Sequence, residues 1–180
     1  MRQHAARARP LLLVCTAVVL TGLCCTCCAV PPRQTPDVPP RFLSLTDYAD
    51  VFDRAATVRV NSALLDVKAS LAVDFEVLII ANTAGMSIEE YAGIVYRAWG
   101  MDQAVRSSSV LGALLLMLAV ENNQWYLVLS SSLQHDLSRD LTLKLWERAK
   151  RSDEAKLADR IETFVKLLSD QLQQTRGFPK

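Results

Sequence analysis

Residues 75–81 read FEVLIIA. The run is short, apolar and β-branched, and it lies between Asp74 and the turn-forming NTAG at residues 82–85. A helix of this protein would need more residues and an apolar stripe on one side only. Seven nearly continuous apolar residues between turn formers instead fit a strand buried on both faces. Such a strand needs a covering layer on each face.

The flanking sequence supplies those layers. Ala56, Val60, Leu64, Val67 and Leu71 recur at steps of four and three. They form one buried face of a helix over residues 54–71, which Asp53 can cap. Downstream, Ser87 and Glu90 have the spacing of a capping box, opening a second helix with Ile88, Tyr91, Ala92, Val95 and Trp99 inward and Gly100 at its end. MDQAVRSSS, residues 101–109, is polar and reads as a loop. Two further apolar runs, residues 110–120 and QWYLVL at 124–129, are separated by ENN, which predicts an antiparallel hairpin. Leu137, Leu141, Leu145 and Ala149 mark a third helix face. Leu157, Ile161, Phe164, Val165, Leu168 and Leu172 mark a fourth, with Ser152 as its cap and Asp153 and Glu154 in its first turn. The order helix, strand, helix, strand, strand, helix, helix predicts an α/β layered domain with a small mixed sheet.

All five cysteines, Cys15, Cys24, Cys25, Cys27 and Cys28, fall in the uncharged residues 11–30, behind Arg2, Arg7 and Arg9. A basic start followed by an apolar stretch is the layout of an export signal. Its length also suits a membrane anchor, so signal peptide and signal anchor both stand for residues 1–30. Lipidation fits less well, because Leu23 precedes Cys24 and Thr26 precedes Cys27, where a small residue is needed. Either way residues 33–180 are expected outside the cytoplasm, in the periplasm or cell envelope, secreted or anchored at the N-terminus. Cleavage near Ala29 removes every cysteine, and with them thiol catalysis and zinc–thiolate chemistry. PPRQTPDVPPR, residues 31–41, holds five of the seven prolines and predicts an extended spacer. The expected organisation is a signal or anchor at 1–30, a Pro-rich linker at 31–43, a domain at 44–174 and a tail at 175–180.

Beyond residue 30 the chain carries 17 Lys and Arg against 19 Asp and Glu. That balance offers no electrostatic footprint for nucleic acid.

The chain resembles the TPM domain family, an extracytoplasmic family related to the thylakoid lumen protein of photosystem II repair. DYADVF at 47–52 is similar to the family's Asp-Tyr-Ala-Gly-x-Leu start of the first helix. SIEEYAGIVYRAWG at 87–100 is similar to its helix ending in Trp-Gly, and LGALLLMLAVENNQWYLVLS at 111–130 to its Leu-rich strand with the returning partner. The resemblance implies a three-layer α/β/α sandwich, a small mixed β-sheet flanked by about four helices. It also implies acid phosphatase activity or divalent-cation binding through acidic loop residues, as described for some members. Asp47 matches the family's opening acid and Gly112 its strand-entry glycine. Elsewhere the pattern is broken. Leu111 stands where the family has an acid or amide, Gln124 where it has arginine, Ser130 and Ser132 where it has glycines, and Arg139, beside Asp140, where it has aspartate. Hard cations need several oxygen ligands, so a site that has lost acids should bind them weakly or not at all.

Asp47, Asp50 and Asp53 recur every three residues, and on a helical turn they would cluster around a cation. In the plainer reading Asp53 caps a helix and the other two are solvated. His135 lies beside Asp136 and follows three serines, which suits either a general base or a polar turn. Lys144, Arg148 and Arg151 make a basic stripe, extended by Lys150, for anionic lipid or an acidic partner, or else a solvated helix face. Trp99, Trp125 and Trp146 fit the core better than a groove. The expectation is therefore a binding or assembly module of the cell envelope with a degraded metal and phosphatase site, no catalytic residue, and no cofactor beyond weak calcium or magnesium. Its expected partner is an envelope protein or a membrane surface. The alternative is a divalent-cation-dependent acid phosphatase, in which Asp47, Asp50, Asp136 and Asp140 recruit the cation and His135 handles a proton.

Overall fold

The computed structural model describes residues 37–107, 109–150 and 156–176. The export segment, the linker up to residue 36, Arg151, the expected cap Ser152 with Asp153 and Glu154, and residues 177–180 lie outside the described residues.

The chain forms β1 (Leu45–Asp47), α1 (Arg54–Leu71), β2 (Val73–Ile80), α2 (Ile88–Ala98), α3 (Met101–Arg106), β3 (Gly112–Ala119), β4 (Gln124–Leu129), α4 (Ser131–Gln134), α5 (Arg139–Lys150) and α6 (Leu157–Arg176). The strands lie in the order β1-β2-β3-β4, with β1 and β3 parallel to β2 and β4 antiparallel to β3. All eight residues of β2 and all eight of β3 are buried, as the apolar runs predict.

Alternation along the strands divides the core in two. Val73, Phe75, Val77, Ile79, Leu114, Leu116 and Leu118 pack with the apolar faces of α1, α5 and α6. Leu78, Ile80, Ala113, Leu115, Met117 and Ala119 pack with α2 and with Met101 of α3. Helices thus cover both faces, giving the three-layer α/β/α arrangement. Trp146 of α5 meets Phe164 of α6 edge-on at 5.0 Å and Trp125 of β4 at 4.9 Å, which joins the outer strand to the helical layer.

Local signals operate where expected. Asp53 accepts the Ala56 N–H at 2.7 Å and starts α1, and Ser87 Oγ accepts the Glu90 N–H and starts α2. Asn123 takes a left-handed conformation, φ 49°, in the β3–β4 turn. Gly112 is needed for a different reason. A Cβ there would lie 2.5 Å from the side chain of Leu133, which is wholly buried beneath the start of β3.

Three features correct the sequence reading. Residues 101–106 are helix rather than loop, because Gly100, at φ 68°, restarts the chain after α2 and Met101 inserts into the core as an anchor that the polar composition conceals. Residues 131–134 form a helical turn. The three-residue β1 has no apolar run to announce it and exists through pairing with β2, where Val77 N–H donates to Ser44 C=O and Tyr48 N–H to Ile79 C=O. The end of the proline-rich segment also packs on the fold: Tyr91 Oη donates to Asp37 C=O, Trp99 Nε1 to Pro39 C=O and Tyr48 Oη to Pro40 C=O. Among the described residues no helix is long and apolar enough to cross a membrane.

Candidate functional site

Two of the four expected cation ligands, Asp47 and Asp136, lie toward opposite ends of the sheet. Asp47 ends β1, level with Ile79, Leu118 and Trp125. Its carboxylate accepts the N–H groups of Ala49 at 3.0 Å and of Val51 and Phe52 at 2.9 Å. This closes a turn rather than a helical coil. Asp50 is left-handed at φ 51° in that turn, and Asp53 is occupied as a cap. Asp136 follows Ser130, whose N–H donates to Ala113, level with Asp74 at the opposite end of the sheet. From Asp74 to Ile79 is five residues along β2, about 16 Å at the usual strand rise. Asp136 is held by Arg176 Nε at 2.7 Å, and Asp140 is exposed in the first turn of α5. Leu111, half-exposed before β3, belongs to the end remote from Asp47. Among the described residues no three His, Cys, Asp or Glu side chains are grouped so that they could hold a metal ion.

His135 is exposed at the C-terminal end of α4, a polar turn position. Lys144 and Arg148 are exposed on α5. Lys150 pairs with Glu147 at 3.0 Å and lies over the Trp146 ring.

A group of charges that the sequence reading missed lies under the proline-rich strap. Asp74 and Glu76 point from β2 toward the α2 layer, the former 3% and the latter 0% exposed. Arg41 bridges them, pairing with Asp74 at 3.2 Å and forming a short contact with Glu76, while Lys68 of α1 reaches Asp74 at 2.7 Å. Glu76 Oε2 has no hydrogen-bond partner among the described residues. Burial pushes the Glu76 carboxyl up to about 7, against the opposing pull of Arg41 and with a smaller upward push from Asp74. The available signal was Glu76 itself, since a lone acid inside a strand buried on both faces must find a partner or a proton.

Two apolar surfaces flank the sheet. Beyond β1, Phe42, Leu43, Val58 and Leu65 border a groove of about 550 Å³ and are each more than half exposed. Beyond β4, a groove of about 590 Å³ runs between the strand and α5, bordered by Leu137, Arg139, Thr142 and Leu143. Tyr126 beside it donates to Glu89 of α2 at 2.9 Å, and its phenol is pushed up by burial first and by that bond second.

A family model described as TPM domain matches residues 45–153. No curated protein matches the chain. Among solved structures, the N-terminal domain of a Porphyromonas gingivalis protein superposes with a TM-score of 0.64 at 18% identity, covering 75% of this chain and 85% of that one. The BA42 protein of the psychrophilic bacterium Bizionia argentinensis gives 0.55 at 13% identity, with 74% and 88% covered. The N-terminal domain of a Corynebacterium glutamicum protein gives 0.51 at 21%, with 74% and 85% covered. At these identities the structures support the fold alone.

Proposed function

This chain belongs to the TPM domain family, and from that premise we propose that it is an extracytoplasmic binding or assembly module of the cell envelope, in which the metal and phosphatase chemistry of the family has been lost. The observation that carries this reading is the occupation of Asp47 and Asp136, two of the four expected ligands, and of the buried pair Asp74 and Glu76. Asp47 is saturated by three backbone N–H groups, Asp136 by Arg176, and Asp74 and Glu76 by Arg41 and Lys68. A divalent cation competing for any of these carboxylates would have to displace an internal cation or open a turn, and it would gain too few oxygen ligands to offset that. Leu111 and Arg139, in place of an oxygen ligand and an acid, act in the same direction. The export segment supports the location, and the exposed apolar surfaces beside β1 and β4 support binding rather than turnover.

The test is calorimetric titration of the full chain with calcium and magnesium, beside phosphate-ester hydrolysis by wild type and Asp47→Ala. The expected outcome is no cation affinity tighter than roughly millimolar, the weak end of natural oxygen-ligand calcium sites, and hydrolysis equal in the two proteins. Micromolar affinity, or hydrolysis abolished by Asp47→Ala, makes the phosphatase alternative the better reading. Fractionation with protease protection tests the location: recovery of full-length soluble protein from cytosol refutes it.

A further inference from the structure

We propose that the open edge of β4 binds an extended, acidic and apolar peptide segment of a partner protein, which joins the sheet as a fifth strand. The proposal rests on the binding-module reading and gives it a partner chemistry.

The hydrogen-bond pattern of the sheet carries it. Ser130 N–H donates to Ala113 C=O at 2.9 Å and Ala113 N–H to Ser130 Oγ at 3.1 Å, so these two residues face each other at a bonded position of the ladder. In an antiparallel pair bonded and non-bonded positions alternate. Leu115–Val128 and Met117–Tyr126 are therefore bonded, and Leu116–Leu127 and Leu118–Trp125 are not. The N–H and C=O groups of Trp125 and Leu127 consequently point away from β3, toward the groove. Leu129 C=O points the same way and accepts the Gln134 side-chain amide at 3.3 Å, a contact that imitates one rung of a neighbouring strand.

Natural sheets guard their edges with charges, prolines, bulges or very short strands. The β1 edge is guarded in this way: it is three residues long, and its outward Leu45 N–H is capped by Asn61 Oδ1 at 2.9 Å. Apart from the Gln134 contact at Leu129, β4 has no such device. QWYLVL contains no charge and no proline, and it keeps register with β3 through six pairs without a bulge. An exposed donor and acceptor row of this kind is matched by the backbone of another strand, with side-chain pockets setting the preference.

The walls define those preferences. Leu143 of α5, 43% exposed, presents apolar surface to the groove. Arg139, one turn earlier on the same helix, also lines the groove, with its charge acting on the Tyr126 phenol, and has no ion-pair partner among the described residues. A peptide that alternates apolar and acidic side chains offers the former to Leu143 and the latter to the Arg139 charge at the two-residue period of a strand. A second copy of the chain fits less well, because its own α5 flanks its β4 and would meet this α5 across the edge.

The probe is an N-acetylated, C-amidated peptide of about eight residues alternating valine and glutamate, a little longer than a typical strand. Binding to the full chain is read by fluorescence anisotropy and by residue-resolved amide exchange. Without peptide, the Trp125 and Leu127 amides should exchange far faster than those of Tyr126 and Val128; saturating peptide should slow them at least tenfold. Methylation of alternate peptide amides should abolish binding, and Arg139→Glu should weaken it about tenfold or more, the scale of one lost charged contact. No binding at millimolar peptide overturns the proposal, as does binding that leaves Trp125 and Leu127 exchanging freely. Protection already present without peptide also overturns it: if protection is lost on dilution the edge is a self-association site, and if it is lost on removing residues 177–180 the chain's own tail fills it. Cation titration on the same sample separates this proposal from the reading beneath it. Cation silence with no peptide binding removes only this surface, whereas micromolar calcium affinity removes the module reading even where the peptide binds.

Discussion

Glu76→Gln should flatten the dependence of stability on pH. Glu76 is fully buried on β2 and titrates at about 7 rather than 4.5, chiefly because burial disfavours its charged form. Between those two values the folded chain holds a proton that the unfolded chain has released. The contribution of this group is therefore most favourable at low pH, declines as pH rises through that window, and levels off above about 7. At about 1.36 kcal/mol per pH unit, the decline amounts to about 3 kcal/mol. Glutamine keeps the shape of the protonated acid and cannot ionise. The variant should thus differ from wild type by less than about 1 kcal/mol at pH 5 and exceed it by about 3 kcal/mol at pH 8. Urea unfolding of both proteins at pH 5, 6, 7 and 8 gives the difference directly, and titration of other carboxylates cancels in the subtraction. A difference that stays constant across this range would refute the reasoning. So would a glutamine variant less stable than wild type at pH 8, because the Arg41 pair would then outweigh the burial of Glu76.

Ile79→Asp places a carboxylate in a wholly buried strand position and should cost more than about 4 kcal/mol; wild-type melting would show that β2 tolerates charge there. Gly112→Ala should destabilise by about 1–3 kcal/mol through overpacking against Leu133, and Leu133→Ala in the same background should recover part of that loss, a coupling read from a double-mutant cycle. Asp47→Ala removes the acceptor of three backbone N–H groups and should lower stability by about 1–3 kcal/mol, whereas Asp50→Ala should change it by less than about 1 kcal/mol because no bond to the Asp50 side chain is formed among the described residues; equal losses would show that the turn is held by something other than Asp47.

Much of the fold was legible in the sequence because it is written in local periodicities. The stripe from Ala56 to Leu71 gave α1 its bounds, FEVLIIA announced a strand covered on both sides, and ENN marked the hairpin, since each signal depends only on neighbouring residues and on exclusion of water from apolar surface. Family membership followed from the order of these pieces. The sites depended on tertiary structure. The spacing of Asp47, Asp50 and Asp53 suggests a cluster, but the register of β1 on β2 places Asp47 at the end of the sheet away from Asp136. Arg41 reads as part of a spacer, yet it forms ion pairs with residues more than thirty positions away, Asp74 and Glu76. QWYLVL reads as one strand among several, and only the order of the sheet makes it an edge. The physical reason is range. Helix faces and turns are set by a few adjacent residues, whereas the convergence of charges, the state of a buried carboxyl and the availability of a strand edge are properties of how distant segments meet.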